Sequence, residues 1–308
     1  MSVPAKFRGI FPAFLACYDD AGNVSPERTA ALAEYYLKLG IPGLYVCGSS
    51  GECMLQSVEE RKLALEATMQ AVGGKMTVIA HVAAPSTRDS IELARHAEKV
   101  GADAIAMVPG VYYGLSNKQV IRYWNDVLEA TDNIPMMVYN IPQTTNGYNL
   151  PNEVFRTMLR NKRVIGVKNS SLLVQDVLRL RQVGGEDVAI FNGCDEQYLA
   201  GRALGASGGI GTCYNFMPEL FLKLEELIST QQLDKAAAIQ SEMTSIIYQA
   251  CAMPSGANLV DFSKMALKRR GIECGRARLP MLPLADEDQD TFEAVCERID
   301  SLTKHYCG

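Results

Sequence analysis

Eight short apolar runs, each followed by a stretch with helical spacing, constrain this 308-residue chain more than any other feature. The runs are GIFPAFLAC (9–17), GLYVCG (43–48), TVIAHV (77–82), AIAMVP (104–109), PMMVYN (135–140), VIGVK (164–168), VAIFNG (188–193) and GGIG (208–211). Continuous apolar runs without alternation predict strands buried on both faces, the signature of a parallel sheet covered by helices. Eight such units within about 230 residues match the count and length of a (β/α)8 barrel. A doubly wound open sheet has the same alternation, and the strand count alone does not separate the two.

The helical stretches carry their own punctuation. Ser57 with Glu60 and Ser116 with Gln119 predict capping boxes, and Ser25 before Pro26 predicts an N-cap followed by a first-turn proline. Gly40, Gly73 and Gly101 stand where left-handed C-caps are expected. After the eighth run the pattern turns wholly helical: Leu220, Leu224, Leu227 and Ile228, then Ile239, Met243, Ile246 and Ile247. An amphipathic segment follows from Asn258 to Arg270 with Gly271 as its stop, and a last helix uses Phe292, Val295, Ile299 and Leu302. The cluster Lys268-Arg269-Arg270 falls in a last helical turn, where dipole complementation and solvation account for it. The expected organisation is therefore a barrel over 1–230 and a helical extension over 231–308, with no linker rich enough in Pro, Gly or Ser to separate two domains.

A formal net charge of −5 offers no electrostatic attraction for nucleic acid or an anionic membrane surface, and no apolar run reaches the length of a membrane span. The start MSVPAKFRGIF lacks a signal peptide's apolar stretch, so the cytoplasm is the expected compartment. The nine cysteines lack CxxC or Cys/His zinc spacing and are expected to be reduced, and with His81, His96 and His305 as the three histidines no metal site is expected. His81 reads as a hydrogen-bonded histidine near a strand end.

In a (β/α)8 barrel, chemistry sits at the carboxyl ends of the strands. There this chain places GSSGE (48–52), VYYG (111–114), YNIP (139–142), Lys168 followed by NSS, NGCDE (192–196) and GIGTCYN (209–215). A lysine ending a buried strand is costly unless paired, solvated or neutralised. At a dry barrel mouth its amine is expected to shift toward neutrality and attack a ketone as a nucleophile, forming an imine that then acts as an electron sink. Tyr139, one strand away, is the candidate proton shuttle, and the turn at Ser49 and Ser50 offers backbone N–H groups and hydroxyls to a carboxylate. Each feature also has a plain structural reading. Lys168 can snorkel, GSSGE can be only a loop, Tyr139 a rim aromatic, and Asp195 and Glu196 first-turn carboxylates favoured by a helix dipole.

Taken together, GSSGE, YYG, YNIP, GVKNSS and NGCDE followed by GGIGTCYN resemble the pyruvate-dependent class I aldolases typified by dihydrodipicolinate synthase and N-acetylneuraminate lyase. The resemblance runs from about Gly9 to the C-terminal helices. It implies a TIM barrel with a helical tail, assembled as a homotetramer (a dimer of dimers), acting on a small 2-keto acid with no cofactor beyond a covalent imine on Lys168. It implies Tyr139 as the shuttle, Ser49 and Ser50 as the carboxylate turn, and Tyr112 as the tyrosine reaching a neighbouring subunit's site, with Tyr113 as its possible confusion. The synthase branch carries an arginine just after YN-x-P, where this chain has Gln143, Thr144 and Thr145; a lost bidentate clamp is not conservative. The sialic-acid branch resembles this chain at Gly193, Asp195 and Glu196, which would face a hydroxylated tail together with Ser170 and Thr212. Departures are Ser50 and Ser170 where threonine is common, Thr212 where serine is common, and Asn169 where glutamine is common. The favoured expectation is cleavage of N-acetylneuraminate to pyruvate and N-acetylmannosamine. A dihydrodipicolinate synthase, another 2-keto-3-deoxy sugar acid aldolase, and a non-catalytic sugar-acid sensor are the alternatives.

Overall fold

The computed structural model describes residues 4–308. The eight apolar runs form eight strands: β1 (Gly9–Pro12), β2 (Gly43–Val46), β3 (Thr77–His81), β4 (Ala104–Met107), β5 (Met136–Asn140), β6 (Val164–Asn169), β7 (Ala189–Asn192) and β8 (Gly208–Gly211). All pair in parallel with their sequence neighbours, and β8 pairs back onto β1 with Gly9 opposite Gly208. The remaining seam closes just beyond β1, where Ala13 bridges Tyr45 and the Phe14 N–H donates to the Tyr45 carbonyl at 2.9 Å. The strands thus form a closed (β/α)8 ring, which excludes the open sheet. Because the ring buries both faces, the apolar runs need no polar alternation.

The run 9–17 is longer than its strand. β1 ends at Pro12, and residues 13–17 leave the sheet as buried chain whose Leu15, Ala16 and Cys17 still join the core. Hydrophobicity marks burial there, not strand.

Helices α1 (Pro26–Lys38), α2 (Val58–Val72), α3 (Thr87–Lys99), α4 (Asn117–Glu129), α5 (Asn152–Met158), α6 (Gln175–Gly184), α7 (Tyr198–Ala203) and α8 (Pro218–Ser229) follow the strands in turn. Ser57–Glu60 and Ser116–Gln119 make reciprocal capping boxes, and Ser25 accepts from the Arg28 N–H ahead of α1. Gly40 and Gly101 adopt the expected left-handed backbone, at φ 77° and 83°. Gly73 does not: its φ is −54°, and Gly74 takes the left-handed conformation at φ 74°. The reason is local, since Gly73 forms a bridge with Met76 and a Cβ on it would meet the Met69 carbonyl at 2.5 Å.

Three more helices follow, α9 (Leu233–Cys251), α10 (Leu259–Arg269) and α11 (Gln289–Cys307), and their apolar faces share one continuous core with the barrel. The basic cluster at the end of α10 is dispersed into ion pairs: Lys268 with Glu273, Arg269 with Asp300 and Arg270 with Glu219. Among the described residues no helix is long and apolar enough to cross a membrane.

Candidate active site

Strand register builds the site. β5 and β6 align Tyr139 directly opposite Lys168, and both side chains are buried at the carboxyl end of the ring. The Lys168 Nζ lies 4.2 Å from the centre of the Tyr139 ring and 4.4 Å from that of Tyr45, which comes from β2 across the barrel. The two rings meet edge to face at 5.9 Å, and His81 at the end of β3 packs against both at 6.1 Å. His81 is no metal ligand here. Its Nδ1 lies 3.1 Å from the Cys47 carbonyl, and burial, then Arg61 and Lys168, hold its pKa far below the ordinary histidine value.

The GSSGE stretch forms a compact turn in which Cys47 and Glu52 take left-handed φ values of 58° and 55°. Ser49 is exposed to the cavity, Ser50 is buried, and the Ser50 and Thr212 hydroxyls are 2.7 Å apart, joining the ends of β2 and β8. The turn is anchored from below by Glu52, whose carboxylate takes the Lys264 ammonium at 2.6 Å and the Arg278 N–H at 2.7 Å. Both side chains of the Glu52–Lys264 pair are fully buried, and the Tyr18 ring lies 4.4 Å from Lys264 Nζ.

At the end of β7, Asp195 does not cap its own short helical turn. Its Oδ2 instead accepts from the Cys213 N–H at 2.8 Å on the β8 side, and its Oδ1 is buried with no partner. A Cβ at Gly211 would sit 1.6 Å from that Oδ1, so only glycine lets the carboxylate lie there. Burial raises the Asp195 carboxyl from 3.8 to about 6, outweighing the Cys213 N–H that pulls it down. Gly193 plays the same spatial role for Ser170, whose Oγ would be 2.0 Å from an added Cβ. The Ser170 carbonyl accepts from Gln143 Nε2 at 2.8 Å and from Cys194 Sγ at 3.5 Å. Burial pushes the Cys194 thiol up to about 12, which keeps it protonated.

One cavity of about 280 Å³ collects Lys168, Tyr139, Ser49, Ser50, Ser170, Gly193, Asp195, Glu196 and Thr212. Tyr112 stands apart from it within its own chain, 83% exposed, with a left-handed φ of 69° and its ring edge-to-face with Tyr113 at 5.0 Å. Several lining or supporting residues carried no signal in the sequence. Tyr45 lies inside an apolar strand and looks like core, while Lys264 lies 212 positions from its partner Glu52. Ile247 of α9 and Leu259 of α10 also line the cavity, so the C-terminal helices build part of its wall.

A buried amine flanked by a phenol, below a cavity walled by hydroxyls and two carboxylates, is equipped for nucleophilic attack on a carbonyl and for moving a proton beside it. A model of the dihydrodipicolinate synthetase family matches residues 6–299. The chain belongs to that family.

Among family relatives, an N-acetylneuraminate lyase of Mediterraneibacter gnavus is 45% identical over 98% of this chain and 95% of its own length. A lyase of the same name from Rhizobium meliloti is 34% identical over 92% of each chain. The solved structure of a catalytic lysine mutant of the Ruminococcus gnavus sialic acid aldolase superposes with a TM-score of 0.96, at 45% identity, covering 99% of this chain and all of that one. The agreement extends through the C-terminal helices, so this family architecture includes them as well as the barrel.

Proposed function

We infer that this chain is a carbon–carbon lyase that cleaves N-acetylneuraminate to pyruvate and N-acetylmannosamine through an imine on Lys168. The carrying observation is the placement of the Lys168 amine against Tyr139 at the floor of the cavity, in direct strand register. The relatives named for the same reaction support it.

In this reading the turn at Ser49 and Ser50 holds the substrate carboxylate, which places the C2 ketone over Lys168. Nζ attacks C2 and the ketone oxygen leaves as water, giving a protonated imine. Tyr139 takes the proton of the C4 hydroxyl as the C3–C4 bond breaks and its electrons move into the imine to form an enamine. A proton returns to C3, and water hydrolyses the imine to release pyruvate. Ser170, Gly193, Asp195, Glu196 and Thr212 line the side of the cavity open to the hydroxylated tail. Tyr112, turned outward, completes the site of a neighbouring subunit in a homotetramer, and the enzyme works in the cytoplasm without a further cofactor.

Borohydride reduction in the presence of pyruvate tests this directly. A reduced pyruvyl adduct should appear on the peptide containing Lys168, and Lys168→Ala should abolish both adduct and turnover. An unmodified Lys168 in an active enzyme rejects the mechanism. An activity panel of N-acetylneuraminate, 2-keto-3-deoxy sugar acids, and aspartate semialdehyde with pyruvate tests the substrate. Much faster cleavage of a six-carbon 2-keto-3-deoxy acid rejects the sialic-acid assignment and leaves the imine chemistry standing.

A further inference from the structure

Among the described residues, Lys168 makes no hydrogen bond and no ion pair, although it is 4% exposed. A buried ammonium normally has a carboxylate partner. Here its nitrogen faces two aromatic rings, Tyr139 at 4.2 Å and Tyr45 at 4.4 Å. The nearest ionisable neighbour behind them, His81, carries no charge, because burial and the adjacent cations keep it neutral. Behind His81 lies a second buried cation, Arg61, bonded to the His81 and Ala83 carbonyls at 2.7 and 2.8 Å. The environment of Lys168 is therefore cationic and dry, and the faces of two phenols are what favours positive charge at Nζ.

That choice of partner has a chemical consequence. A carboxylate would bind the ammonium directionally, occupy the proton that must leave, and stand where the substrate has to approach. A ring face attracts a cation through its quadrupole yet holds no proton, so the lone pair stays free for attack. Imine formation converts an ammonium and a ketone into a protonated imine and water, so nitrogen loses two protons to the departing oxygen and the charge of +1 stays at the same place. An aromatic face can thus serve the resting lysine and the intermediate alike.

Tyr45 is fully buried, and its hydroxyl has no partner. A phenylalanine would fill the ring's space without an orphaned polar atom, whereas the phenol offers a more electron-rich face. We propose that Tyr45 is a catalytic residue of the imine steps, its ring face opposed to that of Tyr139 to hold the cationic nitrogen of Lys168 before attack and as the protonated imine. The proposal rests on the imine reading of Lys168 given above.

The test replaces Tyr45 in the full-length protein with phenylalanine and with its 4-fluoro, 3,5-difluoro and 3,4,5-trifluoro derivatives, which drain the ring face at nearly constant shape. The rate of pyruvate-dependent borohydride trapping and kcat for N-acetylneuraminate are measured alongside melting temperature. Trapping rate and kcat should fall in order of fluorination, by about tenfold or more across the series, as expected for a desolvated cation–π contact. Melting temperature and KM should change little. Tyr45→Leu, if folded by circular dichroism, should lose at least as much as the trifluoro variant. A flat response to fluorination with wild-type trapping intact overturns the role of Tyr45 and spares the imine mechanism. Absence of any adduct in the wild type rejects the imine mechanism itself.

Discussion

Tyr139 and Asp195 show how much a single side chain's surroundings decide. Tyr139 lies beside the amine and lines the cavity, so its hydroxyl is placed to move protons during bond cleavage. Tyr139→Phe should lower kcat on the order of 100-fold or more with little change in substrate binding, measured by steady-state kinetics and pyruvate trapping. Asp195 is different, because burial has raised its carboxyl from 3.8 in the open chain to about 6. A raised folded-state value means that its contribution to stability is fully present below pH 3.8 and is lost as pH rises through about 6. Relative to Asp195→Asn, the wild type should therefore lose about 3 kcal/mol of stability between pH 4 and pH 7, at about 1.4 kcal/mol per pH unit. Urea unfolding of both proteins at the two pH values checks this, and a difference independent of pH would contradict it. A carboxylate kept at such a cost, with Oδ1 unpartnered in the cavity wall, fits a group reserved for a substrate hydroxyl. Asp195→Asn and Glu196→Gln should lower kcat/KM for N-acetylneuraminate about ten- to hundred-fold while sparing imine formation with pyruvate.

Between elements, the decisive contact is the Glu52–Lys264 pair, which ties the turn after β2 to α10. Removing one member leaves an uncompensated buried charge, so Lys264→Met should cost about 3–5 kcal/mol in urea unfolding. The same change should raise KM for pyruvate, since the Ser49–Ser50 turn rests on Glu52. Caps were legible in the sequence because their determinants lie within four residues, as at Ser57 with Glu60 and Ser116 with Gln119. Gly73 and Gly74 were not told apart, since a bridge to Met76 chooses which glycine turns left-handed. The end of β1 was equally hidden, because residues 13–17 are as buried outside the sheet as within it.

For the whole molecule, the outward Tyr112 predicts that assembly and activity are linked. Light scattering on the purified protein should give four times the chain mass, and Tyr112→Ala should reduce kcat while Lys168 remains trappable by pyruvate. A fully active monomer would exclude a shared site. The sequence by itself determined the class of fold, the order of the eight strand–helix units and the placement of Lys168, Tyr139 and the Ser49–Ser50 turn at one rim. Those follow from hydrophobic periodicity and from the rule that parallel strands present their carboxyl ends together. Only the tertiary structure decided that Tyr45 faces the amine, that Asp195 reaches across to the Cys213 N–H, and that Lys264 supports the carboxylate turn. Ring closure makes those neighbours out of residues far apart in the chain, and no local pattern records a contact whose partner lies 212 positions away.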